Sequence, residues 1–209
     1  SKLCVLNNAS FEMRKQMGEC PFDQGGYFVI DGQEKVIVSH ERKAENKLYI
    51  VKSMDDLYSY SAQIKSIPSD SFKYARTTVV NIGKASDILT VRLPSIKKQI
   101  PLFILFRALG IESDKAILSH IIYNTDSVAL QNELLDLLRD SVKDAHPVFN
   151  QRDALRLLAL NTKGKDIINV IDCLNNNLFP HYITNKEKAL YLGYVARQVL
   201  LTHLGIIND

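Results

Sequence analysis

The first half of the chain alternates apolar and polar residues in short runs, which is the pattern of half-buried strands. It predicts six strands, at Tyr27–Ile30, Lys35–Val38, Lys47–Lys52, Ser59–Lys65, Arg76–Ile82 and Ile88–Leu93. Asp31-Gly32 stands between the first two, and this pair readily adopts the positive φ angles of a tight hairpin turn. Gly25-Gly26, just before the hairpin, predicts a sharp entry into its first strand. The first half is therefore predicted to be mainly antiparallel β-structure.

Apolar residues in the second half recur at the spacing of amphipathic helices. This spacing predicts helices at residues 101–110, Lys115–Tyr123, Asp126–Leu138, Asp153–Leu160, Asp166–Leu178 and Asn185–Leu204. Pro101 suits the first position of a helix, and Gly110 suits a C-terminal cap. Thr184 and Glu187 have the spacing of a capping box, and Gly205 follows the last helix. We therefore expect an α+β fold, with an antiparallel, β-rich first half followed by a helical second half.

The sequence becomes polar after the predicted strand at 47–52, which predicts a domain boundary near residues 52–57. This boundary divides residues 1–52 from residues 53–205. No internal repeat or low-complexity tract occurs in the sequence.

Composition excludes two broad classes of protein. The 209 residues are 46% hydrophobic with a net charge of only +3, so the chain is not intrinsically disordered. The most apolar run, Ile100–Ile111, is interrupted by Pro101 and Arg107 and falls short of the ~20 residues of a spanning helix. No membrane is therefore expected among the partners.

The chain has three widely spaced cysteines, Cys4, Cys20 and Cys173, which predict neither a disulfide framework nor a zinc site. A reducing compartment is the corresponding expectation. The N-terminus has neither an initiator Met nor the apolar stretch of a signal peptide, so we expect the chain to begin inside a longer one.

Positive charge is concentrated between residues 76 and 107, where six basic side chains accompany one acid, Asp87. The six are Arg76, Lys84, Arg92, Lys97, Lys98 and Arg107. Because such a window attracts phosphates, these residues are candidate nucleic-acid contacts. The sequence leaves open an alternative in which they are only the solvated face of a β-rich segment.

No complete active site is visible in the sequence. Cys20 and His40 flank the predicted hairpin, but no motif of a cysteine hydrolase surrounds them. The five histidines have no metal-binding spacing, and no Gly-Lys-Ser/Thr follows the glycines of a phosphate loop. We therefore predict no catalytic, metal or cofactor residues, and Gly25, Gly26, Asp31 and Gly32 are expected to act as structural turn residues.

One stretch is more specific than these patterns. Residues 19–36, ECPFDQGGYFVIDGQEKV, are followed by Glu41-Arg42, and together they closely resemble a signature of the second-largest subunit of multisubunit DNA-directed RNA polymerases. Two later blocks resemble the same subunit further along. The first of these contains LP at 93–94, IP at 100–101 and FRALGI at 106–111. The second contains LFPH at 178–181 and YLGY at 191–194. Because the three blocks keep the order of the family, the resemblance covers nearly the whole chain.

The resemblance implies an architecture and a function. Residues 1–52 resemble the end of the protrusion domain and 53–205 resemble the lobe, which together form a wall of the DNA cleft. The partners it implies are the largest polymerase subunit, other polymerase subunits, the downstream duplex of the DNA template, and transcription factors. The catalytic Mg²⁺ of such enzymes is held mainly by the largest subunit. This stretch is therefore expected to hold no cofactor and not to polymerise nucleotides by itself.

The resemblance also implies a location. A cellular enzyme of this class works in the nucleus. Ser39-His40 departs from typical cellular sequences and favours a large DNA virus, whose polymerase would lie in the host cytoplasm or the virion.

Two hypotheses of other classes remain at this point. One is a stand-alone module derived from the lobe that binds protein or nucleic acid without catalysis. The other is an enzyme that uses Cys20 as its nucleophile.

Overall fold

The structure, a computed structural model, describes residues 2–3, 10–23, 25–68, 74–123, 127–162 and 164–207. Its contacts divide the chain into two compact units, residues 1–43 and residues 44–209. This division precedes the boundary predicted near residues 52–57, because the strand Leu48–Lys52 pairs with the next strand of the second unit. The assignment of 1–52 to a protrusion-like domain and 53–205 to a lobe-like domain stays a prediction.

The first unit is a small antiparallel sheet with one short helix. It contains β1 (Lys2–Leu3), α1 (Phe11–Gln16), β2 (Tyr27–Ile30) and β3 (Gln33–Val36), with sheet order β1-β2-β3. The hairpin predicted between β2 and β3 is confirmed, with its second strand two residues earlier than predicted. Helix α1 and strand β1 were not predicted, because each is too short to show a period.

The second unit begins with a five-stranded antiparallel meander whose strands lie side by side in chain order. The strands are β4 (Leu48–Lys52), β5 (Tyr58–Ser66), β6 (Arg76–Gly83), β7 (Leu89–Arg92) and β8 (Ile100–Pro101). Four of them confirm predicted strands, and the two-residue β8 is new. Alternate residues of the central strands are fully buried on one face, namely Ala62, Ile64, Val80, Ile82, Leu89 and Val91. This alternation is why the polar and apolar positions of the sequence repeat every two residues.

Six helices complete the second unit among the described residues. They are α2 (Leu102–Ala108), α3 (Asp114–Ile121), α4 (Val128–Asp144), α5 (Gln151–Leu160), α6 (Ile167–Asn176) and α7 (Asn185–His203). Helices α2 and α7 contact the sheet, and α3, α4 and α5 contact α2. Every residue of α2 is buried, so the most apolar run of the sequence forms a central core helix. No helix in the described part of the chain is both long and apolar enough to cross a bilayer.

The helix ends show which cap predictions were sound. The capping box of α7 is present, since the Thr184 hydroxyl accepts from the amide of Glu187 and the Glu187 carboxylate accepts from the amide of Thr184. Pro101 is not the first helical residue but the N-cap of α2 and the end of β8. The predicted start of α4 at Asp126 lies outside the described residues, and α4 continues beyond the predicted end at Leu138 to Asp144.

Candidate nucleic-acid interface

The structure does not gather the six predicted basic residues into one patch. Arg76 begins β6 and Lys84 follows directly after its end. Strands rise about 3.3 Å per residue, so the backbones of these two residues are roughly 25 Å apart. They therefore cannot contact the same phosphate or its immediate neighbour.

Arg76 and Arg92 lie on opposite faces of the sheet. Arg92 pairs directly with Val79 of β6, and paired residues share a face. Arg76 is an odd number of residues from Val79 in the same strand, so its side chain is on the other face, which packs against the helices. There it lines a cavity of about 490 Å³ together with Asp172 and Asn176 of α6.

Lys84 also has acidic neighbours. It lines an open cavity of about 280 Å³ together with Lys52, Asp55 and Asp56. Lys84 and Arg76 therefore each share a cavity with at least one carboxylate. Neither residue presents an isolated positive charge to a polyanion.

Lys97 and Lys98 are exposed in the loop between β7 and β8. This loop is fixed in place, because the amide of Lys97 donates to the carbonyl of Asn161 at 3.0 Å. Ile96 forms a β-bridge with Thr162 and is buried beneath the loop. The anchored loop presents both lysines to solvent, and Arg92 is exposed at the end of β7. These three residues remain as candidate phosphate contacts.

Arg107 is buried rather than available to DNA, which corrects its prediction as a nucleic-acid contact. None of its side chain is exposed. Its guanidinium donates to the carbonyls of Ala145 and Val148 and forms an ion pair with Asp114. It also lies 5.5 Å from the ring centre of Phe149. The sequence signal for this burial was that apolar residues both precede and follow Arg107, at 102–106 and 108–111.

The four predicted turn residues do shape the chain of the first unit. Asp31 and Gly32 have φ angles of 52° and 74°, which is the two-residue turn geometry that matches the twist of a hairpin. Gly25 and Gly26 have φ angles of 72° and 83° directly before β2. Open space surrounds the missing Cβ of Gly32, so the backbone angle alone requires glycine there.

Three side chains that sequence reasoning missed brace the approach to this hairpin. The carboxylate of Asp23 accepts from the amide of Gly25 at 2.8 Å and from the hydroxyl of Tyr27 at 2.6 Å. The hydrogen bond from Tyr27, and after it the one from Gly25, lowers the pKa of Asp23, and the bond to Asp23 raises the pKa of Tyr27. Arg14 donates to the carbonyls of Pro21 and Asp23. Pro21, Asp23 and Gly25 of the Cys-Pro-Phe-Asp-Gln-Gly-Gly stretch therefore have a structural role.

Lys188 is a second buried cation that the sequence did not reveal. Its ammonium group donates to the carbonyls of Leu174 and Asn175, both at 2.7 Å. These carbonyls belong to the last turn of α6, where backbone acceptors lack helical partners and the helix dipole favours a cation. Burial lowers the pKa of Lys188 to about 8. A lysine of α7 therefore caps α6.

The candidate catalytic groups are not assembled among the described residues. Cys20 is an exposed thiol and His40 is exposed, and no hydrogen bond joins them in the described part of the first unit. Cys173 is buried, and Cys4 lies outside the described residues. Across the described ranges, no three His, Cys, Asp or Glu side chains are grouped so that they would hold a metal ion.

Comparison with known proteins agrees with the three sequence blocks. Residues 33–209 match the sequence profile of the family described as RNA polymerase Rpb2, domain 2. The chain is 35% identical over 219 residues to the DNA-directed RNA polymerase II subunit RPB2 of Encephalitozoon cuniculi, covering 100% of this chain and 19% of that protein. It is 33% identical to the RNA polymerase II subunit 2 of Arabidopsis thaliana, covering 98% and 18%.

An archaeal protein is similar as well. The chain is 29% identical to subunit Rpo2N of the RNA polymerase of Methanocaldococcus jannaschii, covering 98% of this chain and 41% of that protein. The chain thus spans about a fifth of the length of the two eukaryotic relatives and less than half of the archaeal one.

Proposed function

The chain belongs to the RNA polymerase Rpb2 domain 2 family, a part of the second-largest subunit of DNA-directed RNA polymerases, and we propose that it serves as a wall of the DNA cleft in such an enzyme. The observation that carries this proposal is the match over residues 33–209. In this role the chain supports DNA-templated RNA synthesis without supplying the reacting groups.

The contact with DNA is electrostatic and independent of sequence. A polymerase must slide over any template, and phosphate contacts position a duplex without reading its bases. Lys97 and Lys98, on a loop anchored to α5, and Arg92 beside it are suited to this task because they are exposed and their backbone is held in place. Arg76 and Lys84 contribute less, because carboxylates share their cavities.

The assembled enzyme is a nucleotidyltransferase whose Mg²⁺ is held mainly by the largest subunit. The partners of this chain are that subunit, other polymerase subunits, the downstream DNA duplex and transcription factors. For a cellular polymerase the compartment is the nucleus, and for a viral one it is the host cytoplasm or the virion.

Affinity purification tests the proposal. A tag on the natural gene product that contains this chain should recover the largest polymerase subunit in stoichiometric amount, in a complex that extends RNA on a DNA template. A tagged product that elutes without any polymerase subunit would overturn the proposal and favour the stand-alone binding module.

A further inference from the structure

Helices α3 and α7 border an open groove of about 320 Å³ on the second unit, which we call the α3/α7 groove. It is lined by Ser119, His120, Tyr123, Leu190 and Tyr194. Three of these side chains are large and unusually exposed: Leu190 is 58%, Tyr123 40% and Tyr194 38% exposed. The groove is therefore an apolar surface that the described residues leave open.

The walls of the groove are held rigidly. Gly193 of α7 lies so close to α3 that a Cβ there would be 2.4 Å from the carbonyl oxygen of His120. Arg197 donates to the carbonyl of Tyr123, and its guanidinium lies 4.5 Å from the centre of the Tyr123 ring. A preformed groove loses little conformational entropy when a partner enters it.

Among the described residues, the helix faces beside the groove carry three cations. Lys186 and Arg197 stand four residues before and seven residues after Leu190, which places all three on one face of α7. Lys115 stands four residues before Ser119 on α3. The acids nearest to these cations in sequence are engaged elsewhere. Asp114 pairs with Arg107, and Glu187 closes the capping box.

We propose that the α3/α7 groove binds an acidic, amphipathic helix of a partner protein. One or two aliphatic or aromatic side chains of that helix insert beside Leu190 and Tyr194, and its carboxylates face Lys186, Arg197 and Lys115. Grooves that receive amphipathic helices are apolar along the floor and are read by anchor residues at helical spacing. A volume of about 320 Å³ suits such anchors rather than a large ligand. Leu190, the most exposed of the three large lining side chains, is aliphatic and offers no plane on which a nucleic-acid base would stack.

A peptide of defined composition tests this binding. The probe is a fluorescein-labelled amphipathic helix of about 14 residues, roughly four turns, with leucine on one face and glutamate elsewhere. A twin peptide replaces every glutamate by lysine, and a single-stranded oligo-dT is the nucleic-acid probe. Fluorescence anisotropy measures binding to the full chain, and circular dichroism checks that each variant is folded.

The chain offers matched controls for both features of the groove. Leu190→Ala removes the exposed anchor, and Leu160→Ala removes a leucine of α5 that is even more exposed, at 70% against 58%. Lys186→Glu reverses the charge of the second residue of α7, at the rim of the groove. Arg152→Glu reverses the charge of the second residue of α5, away from the groove. We expect Leu190→Ala and Lys186→Glu each to raise the Kd for the acidic peptide about 5- to 10-fold, and the two controls to leave it unchanged.

Three results would overturn the proposal. The first is absence of binding, or equal affinity for the acidic and basic peptides. The second is acidic-peptide binding that Leu190→Ala and Lys186→Glu leave unaltered. The third is tight oligo-dT binding that these two variants abolish, which would make the groove a nucleic-acid site. None of these results depends on assembly of a polymerase, so failure here is separate from failure of the proposed function.

Discussion

Gly193 of α7 and His120 of α3 are in backbone contact: a Cβ at position 193 would lie 2.4 Å from the carbonyl oxygen of His120 and 2.9 Å from its carbonyl carbon. The neighbour is backbone of another helix, so it cannot rotate away as a side chain would. The glycine therefore determines how closely these two helices pack.

Gly193→Ala should destabilise the second unit. The added methyl group must push α7 away from α3, and overpacking of this kind costs about 1–3 kcal/mol. The gain in helix propensity, about 1 kcal/mol, only partly offsets it. Urea unfolding followed by circular dichroism measures the difference.

Gly164→Ala is the matched control for this measurement. A Cβ there would also be 2.4 Å from a neighbour, but that neighbour is the exposed amide of Asn169, which is free to rotate. Gly164→Ala should therefore change stability much less than Gly193→Ala. Equal effects of the two substitutions would contradict the assigned helix contact.

Arg107→Leu should be strongly destabilising. It leaves the buried carbonyl of Val148 without its donor and Asp114 without its ion pair, while the carbonyl of Ala145 keeps only the amide of Val148. An unpaired buried acceptor costs about 1–3 kcal/mol, and the broken ion pair adds to this, so we expect a loss of about 2–5 kcal/mol in the free energy of unfolding. Asp114→Asn should cost less, because Asp114 is 38% exposed and water can solvate what remains. If Arg107→Leu unfolds at the wild-type urea concentration, the residue is not structural.

Lys188 should make stability depend on pH above neutrality. Burial lowers the pKa of Lys188 from 10.5 to about 8, so the folded chain releases this proton at a lower pH than the unfolded chain does. In that window the unfolded state binds more protons, and the free energy of unfolding contributed by Lys188 therefore rises with pH.

The change is measured as the difference in stability between the wild type and Lys188→Gln from pH 7 to pH 10.5. Glutamine keeps a donor for the α6 carbonyls but does not titrate. As pH rises above about 8, the free energy of unfolding of the wild type should increase relative to that of Lys188→Gln. A difference that stays flat with pH would show that the Lys188 pKa is not depressed.

Replacement of Lys97 and Lys98 by Ala tests the candidate DNA contacts. In the assembled polymerase, the double variant should shorten the lifetime of elongation complexes to a similar degree on all templates. The slope of log affinity against log salt should fall by up to ~1 for each lost phosphate contact. Lys143→Ala, an exposed lysine of α4, is the control and should leave the slope unchanged. An unaltered slope in the double variant would assign both lysines to the solvent-facing side.

The fold was predictable where local signals agree with tertiary packing. The end signals of α7 lie within the sequence itself, at Thr184, Glu187 and Gly205. The end of α4 was missed for the opposite reason. Residues after Leu138 are largely polar, yet Ser141 is buried and its hydroxyl accepts from the amide of Leu89 at 2.9 Å. A contact between a helix and a distant strand leaves no period in the sequence.

The candidate site was harder to predict, because closeness in sequence does not fix the face or the depth of a side chain. Arg76 and Arg92 belong to one basic window, but strand alternation places them on opposite faces of the sheet. Arg107 belongs to the same window and lies in the core. Lys188 has no sequence signal at all, since the carbonyls that it contacts belong to another helix.

The bond from Lys188 to α6 has a consequence for how the second unit opens. The last turn of α6 completes its hydrogen bonding only when α7 is docked, because its acceptors at Leu174 and Asn175 are satisfied from the other helix. Neither helix end is then an independent folding element. The end of α6 and the start of α7 should fray together as one cooperative unit in native-state hydrogen exchange, at a free energy set by the docking of α7 rather than by the length of α6.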